Sequence, residues 1–279
     1  MVREQAREAI HAWAISAIAL GSLRDVVGVL SPLGIDVMPL KGVVLQRIAY
    51  DDPADRRLVD VDLAVRSRDF HRAYAALVAA GFTDAHEEPH VWEVALRRPG
   101  SPLCVDLHQH FTDAPRFRLS PDVMFARGHR DEALFGVPVI MPDDHDLYAH
   151  VFAHFAVTYV IGNRLHHPDD LRRLAAARKL DVAVCAARLD DAGLARFARA
   201  LLPLLIEGES DAFAGAVLAA LKPDPIGDAI ARAARAVFAH APAQATSRRV
   251  AGLLLNPTLG DATRALAEAA TRRVRELRG

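Results

Sequence analysis

A chain of 279 residues is longer than one small core needs, so two packed units are expected. Its 34 Lys plus Arg nearly cancel 35 Asp plus Glu, which excludes a broad field for gripping nucleic acid or an anionic membrane and leaves only a local basic patch for such a partner. Its two cysteines, Cys104 and Cys185, exclude a disulfide framework and paired zinc spacings and point to a reducing compartment.

Arg3, Glu4, Arg7 and Glu8 mix charge at the N-terminus with no cleavage-site pattern after them, so no signal peptide is expected. The uncharged stretch 9–23 is shorter than the roughly 20 apolar residues of a membrane span. A soluble, cytoplasmic protein with no membrane partner is the expectation. Apolar residues recur at helical spacing from Arg3 to Leu30, up to the break Ser31-Pro32-Leu33-Gly34. Ile35 to Leu40 reads as a short strand, and Val43 to Tyr50, after Lys41-Gly42, as a turn or two of helix that Asp51-Asp52-Pro53 breaks. Val59 to Val65 alternates strictly: Val59, Val61, Leu63 and Val65 take one face, Asp60 and Asp62 the other. Ser67 opens a helix that Gly81 stops. Strands are expected at Phe82 to Ala85, His90 to Arg98 and Leu103 to His110, the last two joined by Pro99-Gly100-Ser101. From Asp143 onward, Ala- and Leu-rich segments interrupted by Pro168, Pro203, Pro223, Pro225, Pro242 and Pro257 read as helical, with no internal repeat and no low-complexity linker.

The chemistry concentrates on the acidic strand. Asp60 and Asp62, two apart, place their carboxylates together, where they repel unless a cation joins them. Asp106, in the alternating run Cys104-Val105-Asp106-Leu107-His108, supplies a third carboxylate on an adjacent strand. Three such carboxylates can hold two divalent ions roughly 3.5–4 Å apart, the arrangement of two-metal phosphoryl chemistry. Mg2+ or Mn2+ is therefore the expected cofactor, bound by Asp60, Asp62 and Asp106. A single Asp-x-Asp on a solvated edge strand is common, and the ordered set around it is what raises this one. That set is Lys41-Gly42, a helix, Arg56, Asp60-x-Asp62 and a distant strand with Asp106. Gly42 suits a strand-to-helix turn whose N–H groups face an anion, with Lys41 as a phosphate partner and Arg56 placed either to clamp phosphate or to pair with the acidic cluster and organise it.

This ordered set resembles the nucleotidyltransferase superfamily related to DNA polymerase beta. More closely, Pro39-Leu40-Lys41-Gly42, Tyr50, Arg56 and Asp60-Val61-Asp62-Leu63 resemble a poorly characterised bacterial nucleotidyltransferase family with a Leu-Lys-Gly motif. Ala79-Ala80-Gly81-Phe82 and Val105-Asp106-Leu107-His108 extend the likeness, as do His154 and Asp170. The resemblance implies nucleoside triphosphate binding, a phosphate contact from His154 and a supporting role for Asp170. In one departure, Val43 follows Gly42 where the broader superfamily favours a second small residue, so the usual serine contact to phosphate is missing.

Other groups weigh less. His108 shares the face of Asp106 and is expected to support the carboxylates from behind. Asp146, His150 and His154 fall at four-residue steps on one helix face and form a rival metal site, but without the His-Glu-x-x-His pattern. His166, His167, Asp169 and Asp170 open a helix, where acids complement the dipole. Trp13 and Trp92 read as packing residues, and the arginines at 272, 273, 275 and 278 as a solvated helix end.

The fold expected is α+β: a nucleotidyltransferase-like mixed sheet flanked by helices over residues 1–142, then an all-helical domain over 143–279 packed on it. The expected function is metal-dependent transfer of a nucleoside monophosphate from a triphosphate such as ATP to an acceptor hydroxyl on a small molecule, a peptide or protein, or RNA. Two alternatives stand beside it: a nucleotide- or partner-binding protein of a toxin–antitoxin or defence system, and a His/Asp metal-dependent phosphohydrolase.

Overall fold

The computed structural model describes residues 2–85, 93–111, 117–160, 167–209, 211–242 and 245–256. The chain divides into two compact units, Met1–Phe111 with Ser120–Asp143, and Thr112–Leu119 with Asp144–Gly279.

In the first unit, helix α1 (Val2–Leu30) buries Ala12, Ser16, Ala19, Leu23, Val26, Val27 and Leu30, the three-and-four spacing of one helical face. Trp13 lies off that face and is exposed, so it is not the packing residue anticipated. By length and composition 7–33 is apolar enough to cross a membrane, longer than the 9–23 stretch because Arg24 and Asp25 lie within it. Gly34 stops the helix in the left-handed region, with its N–H on the Ser31 carbonyl at 2.9 Å.

Among the described residues five strands make one mixed sheet: β1 (Met38–Pro39), β2 (Asp60–Ala64), β3 (Thr83–Asp84), β4 (Glu93–Arg97) and β5 (Cys104–His108), in the order β1-β2-β5-β4-β3. The central pair β2 and β5 is parallel and the other neighbours antiparallel. A parallel pair needs a long return path. Helix α3 (Phe70–Ala79) and the strands β3 and β4 supply it. Helix α3 buries Phe70, Ala73 and Leu77 and ends at Gly81 with φ 93°. Pro99 followed by Gly100 at φ 83°, with the Ser101 N–H on the Arg98 carbonyl, makes the type II pattern that joins β4 to β5.

Several boundaries differ from the expected ones. The strand expected over Ile35 to Leu40 contracts to β1, because Pro39 has no N–H to give and the Val37 carbonyl accepts from Ile140 N–H instead. Ile140 lies in β7 (Val139–Met141), which pairs with β6 (His129–Asp131) after helix α4 (Pro121–Arg127), a region for which the sequence suggested no element. Val59 sits before β2 and is 77% exposed, so it does not share the buried face of Val61 and Leu63. Helix α2 spans Lys41–Ile48, starting two residues before the expected Val43. His86, His90, Trp92, His166, Pro257 and the C-terminal arginines lie outside the described residues.

The regular elements of the second unit among its described residues are all helices: α5 (Asp144–Val160), α6 (His167–Ala177), α7 (Val182–Asp191), α8 (Ala195–Glu209), α9 (Ala212–Ala220), α10 (Pro225–His240) and α11 (Thr246–Leu254). Asp181, Asp211 and Asp224 cap α7, α9 and α10 by accepting the N–H three residues on, at 2.8–2.9 Å. Pro203 does not break the chain: it lies buried inside α8, whose apolar side packs on α9 and α10 and offsets the missing backbone hydrogen bond. Arg248 on α11 is buried and donates to the carbonyls of Tyr159 and Val160 at the end of α5 and of Phe238 on α10.

Candidate active site

The sheet register assembles the acidic face. On β2 the side chains of Asp60 and Asp62 leave the same side because they are two apart. In the parallel pairing Asp62 stands opposite Asp106 and Asp60 opposite Cys104, so three aspartates from two strands share one face. On the next strand Glu93 stands opposite His108, adding a fourth carboxylate. The opposite face carries Val61, Leu63, Val105 and Leu107, all buried, which fixes the register by hydrophobic burial.

Asp62 is the hub. Its Oδ1 accepts from Lys41 Nζ at 2.6 Å and lies 2.9 Å from His108 Nε2. His108 is 2% exposed, and its Nδ1 lies 3.1 Å from Glu93 Oε2, off the ideal hydrogen-bond direction. These contacts set the charges. Burial pushes Asp62 up, but Lys41 and then His108 outweigh it and hold its carboxyl well below the usual range. Burial first, and the Asp62 charge second, push Asp60 up to about 7. Asp106 is raised by the same two causes in the same order. Burial works against the charged His108, yet its contacts with Asp62 and Glu93 lift it to about 9, so it is an imidazolium at neutral pH.

Helix α2 delivers Lys41, and does so under strain. Lys41 has φ 44°, the one positive value at a non-glycine position among the described residues. Gly42, expected to be the permissive residue of this turn, is instead the close-approach residue. A Cβ there would lie 2.8 Å from Leu58 Cδ2 and 3.6 Å from Arg56 Nη2. Arg56 is therefore held against the start of α2. The buried Gln46 fixes its loop by donating from Nε2 to the carbonyls of Pro53 and Arg56 at 3.0 and 2.8 Å, while its Oε1 accepts from Ser16 Oγ at 2.6 Å.

The structure thus brings Asp60, Asp62, Asp106, Lys41 and His108 together, with Gly42 and Arg56 beside Lys41. His154 and Asp170 belong to the second unit, on α5 and α6, where Asp170 is buried and the His154 carbonyl accepts from Thr158. Asp146, of the rival trio, is fully buried and paired with Arg188 at 3.0 Å, a structural ion pair of α5 and α7. Sequence reasoning missed Glu93 and Gln46. Alternation within β4, where Val94 and Leu96 are buried, puts Glu93 on the acidic face, and Gln46 is a polar residue in the otherwise apolar run Val43-Val44-Leu45.

Among the described residues no three His, Cys, Asp or Glu side chains form a ready-made metal cluster. The donor chemistry nonetheless suits a divalent ion: hard carboxylate oxygens, two of them on groups held above their ordinary range by burial and by the Asp62 charge. Asp60, Asp62 and Asp106 are the residues able to hold it.

The first unit thus carries a five-stranded mixed sheet flanked by helices, with this acidic parallel pair at its centre. Residues 2–206 match the model of a family described as uncharacterised nucleotidyltransferases, and the chain belongs to that family. It is a transferase, and family membership implies a nucleoside triphosphate and an acceptor as its substrates. No curated protein matches the chain. Among solved structures it is similar to antibiotic-resistance factor ANT(2'')-Ia, at 12% identity and TM-score 0.44 over 61% of this chain and 88% of that one. It is also similar to an antigenic nucleotidyltransferase-like protein from Paracoccidioides brasiliensis, at 18% identity and TM-score 0.42 over 76% of this chain and 94% of that one.

Proposed function

We propose that this chain moves a nucleoside monophosphate from a nucleoside triphosphate to an acceptor hydroxyl, with Mg2+ or Mn2+ held by Asp60, Asp62 and Asp106. The observation that carries this reading is the register of β2 on β5, which sets Asp62 against Asp106 on the face where Asp60 also projects and where α2 begins at Lys41. A divalent ion bound there neutralises phosphate charge and polarises the reacting phosphorus.

The remaining work belongs to the chain. The first turn of α2, with no side-chain cap from Leu40, has N–H groups that the helix itself does not use, a seat for phosphate oxygens that Arg56 flanks. Asp106, whose carboxyl is held above its usual range, takes the proton from the acceptor hydroxyl. The acceptor oxygen bonds to the α-phosphorus as the bond to pyrophosphate breaks, with no covalent enzyme intermediate. The acceptor is a small molecule, a peptide or protein side chain, or an RNA end.

The test is incubation of cell extract with each α-labelled nucleoside triphosphate and Mg2+, comparing wild type with Asp60→Ala plus Asp62→Ala. Wild type is expected to label an acceptor and the double variant to lose at least about a hundredfold of that rate. Equal labelling by the two proteins would sink the assignment.

A further inference from the structure

We infer that Lys41 is a resident counter-cation of the acidic face, which a divalent metal displaces from Asp62 and which the triphosphate then receives. This rests on the reading above that Asp60, Asp62 and Asp106 bind metal.

The geometry gives Lys41 two destinations. Its Nζ lies 2.6 Å from Asp62 Oδ1, with the two side chains 17% and 6% exposed, so the pair closes one end of the carboxylate cluster. Its backbone is the first residue of α2, so the same side chain starts at the helix end that favours an anion. The left-handed φ of 44° is a conformation a lysine does not choose by itself, and it aims this residue at the aspartates.

Charge then decides between the destinations. Without metal, Lys41 and His108 are cations whose charge acts on Asp60, Asp62, Asp106 and Glu93. His108 is buried between Asp62 and Glu93, its ring nitrogens 2.9 and 3.1 Å from their carboxylate oxygens. Lys41 is the cation with a flexible stem and partial access to solvent. A doubly charged ion beside Asp62 repels the ammonium, and phosphate oxygens at the start of α2 offer it a new partner. The residue type fits as well. This chain has only three lysines, Lys41, Lys179 and Lys222, and uses arginine for its other basic positions. A compact ammonium on a long stem exchanges partners where the planar guanidinium fork locks onto a carboxylate.

The experiment measures Mn2+ binding to the full chain by the electron paramagnetic resonance signal of the free ion, before and after adding a non-hydrolysable nucleoside triphosphate. Lys41→Met is expected to bind Mn2+ about tenfold more tightly than wild type without nucleotide, and the Mn2+–nucleotide complex about tenfold more weakly. Lys41→Arg should bind Mn2+ no better than wild type. Should Lys41→Met not fold, the wild-type protein carries the test. Its three lysine side-chain amines are to be followed by 15N NMR, and Mg2+ should shift the Lys41 signal while leaving Lys179 and Lys222 in place. Equal or weaker Mn2+ binding by folded Lys41→Met, or a Lys41 signal indifferent to Mg2+ that does bind, overturns the inference and leaves the metal reading standing. Failure of wild type and variant alike to bind Mn2+ overturns both.

Discussion

Asp60 and Asp62 are two residues apart on one face of one strand, yet the fold drives them in opposite directions. Asp62 has Lys41 and His108 on one oxygen, while Asp60 meets burial and the Asp62 charge. Alternation alone reveals that the two carboxylates share a face. It does not reveal which one receives the counter-charge, because Lys41 and His108 arrive from α2 and β5, elements distant in sequence. The pH consequences have definite signs. Asp60, raised from 3.8 to about 7, contributes stability that is full below its unfolded value and lost as pH rises through 7. His108, raised from 6.5 to about 9, contributes stability that is full below 6.5 and lost as pH rises through 9. Asp62, held low, contributes stability present above its unfolded value of 3.8 and lost in stronger acid. Thermal melts in chelator should therefore show the wild-type Tm falling as pH is raised from the ordinary carboxylate range towards 7, below the His108 window, with that fall reduced in Asp60→Asn. Parallel profiles would refute the Asp60 assignment.

At the scale of the element, α2 and the loop ahead of β2 form one packed piece. The sequence placed a helix after Lys41-Gly42 and an arginine before the acidic strand, but assigned the conformational burden to the wrong residue. Lys41 takes the positive φ, and Gly42 is small because Leu58 and Arg56 lie against it. Gly42→Ala forces a methyl to within 2.8 Å of Leu58 Cδ2, an overpacking that costs about 1–3 kcal/mol. A loss of several degrees in Tm is expected, and Leu58→Ala in the same chain should recover part of it. No recovery would place the strain elsewhere. Gln46→Leu removes both donors to the loop carbonyls and leaves the buried Ser16 hydroxyl without its acceptor, at about 1–3 kcal/mol per orphaned group. Because the loop carries Arg56, KM for the nucleotide should rise more than kcat falls. A change in kcat alone would argue that Gln46 does not act through Arg56.

Across the whole molecule, what the sequence made legible follows periodicity. The sheet strands with strict alternation and the helical second half both emerge from apolar spacing. The β6–β7 pair escapes because His129, Arg130 and Asp131 carry no apolar alternation, and Pro203 misleads because burial among neighbouring helices outweighs its local effect. Arg248 escapes for a related reason: the arginine pair Arg248-Arg249 signals solvent, whereas Arg248 lies 5.3 and 5.1 Å from the rings of Tyr159 and Phe238 and satisfies three carbonyls. Arg248→Met should destabilise the protein by on the order of 3 kcal/mol in chemical denaturation, far more than a surface arginine would. An effect under about half a kcal/mol would mean that the end of α5 finds other partners.

Nucleotidyl transfer is distinguished from other phosphoryl chemistry by following both ends of one nucleotide. With α-labelled and γ-labelled triphosphate in parallel, the α label should appear on the acceptor and the γ label leave as pyrophosphate, both lost in Asp60→Ala plus Asp62→Ala. Transfer of the γ label to acceptor, or its release as orthophosphate with no α label transferred, would contradict nucleotidyl transfer at this acidic face.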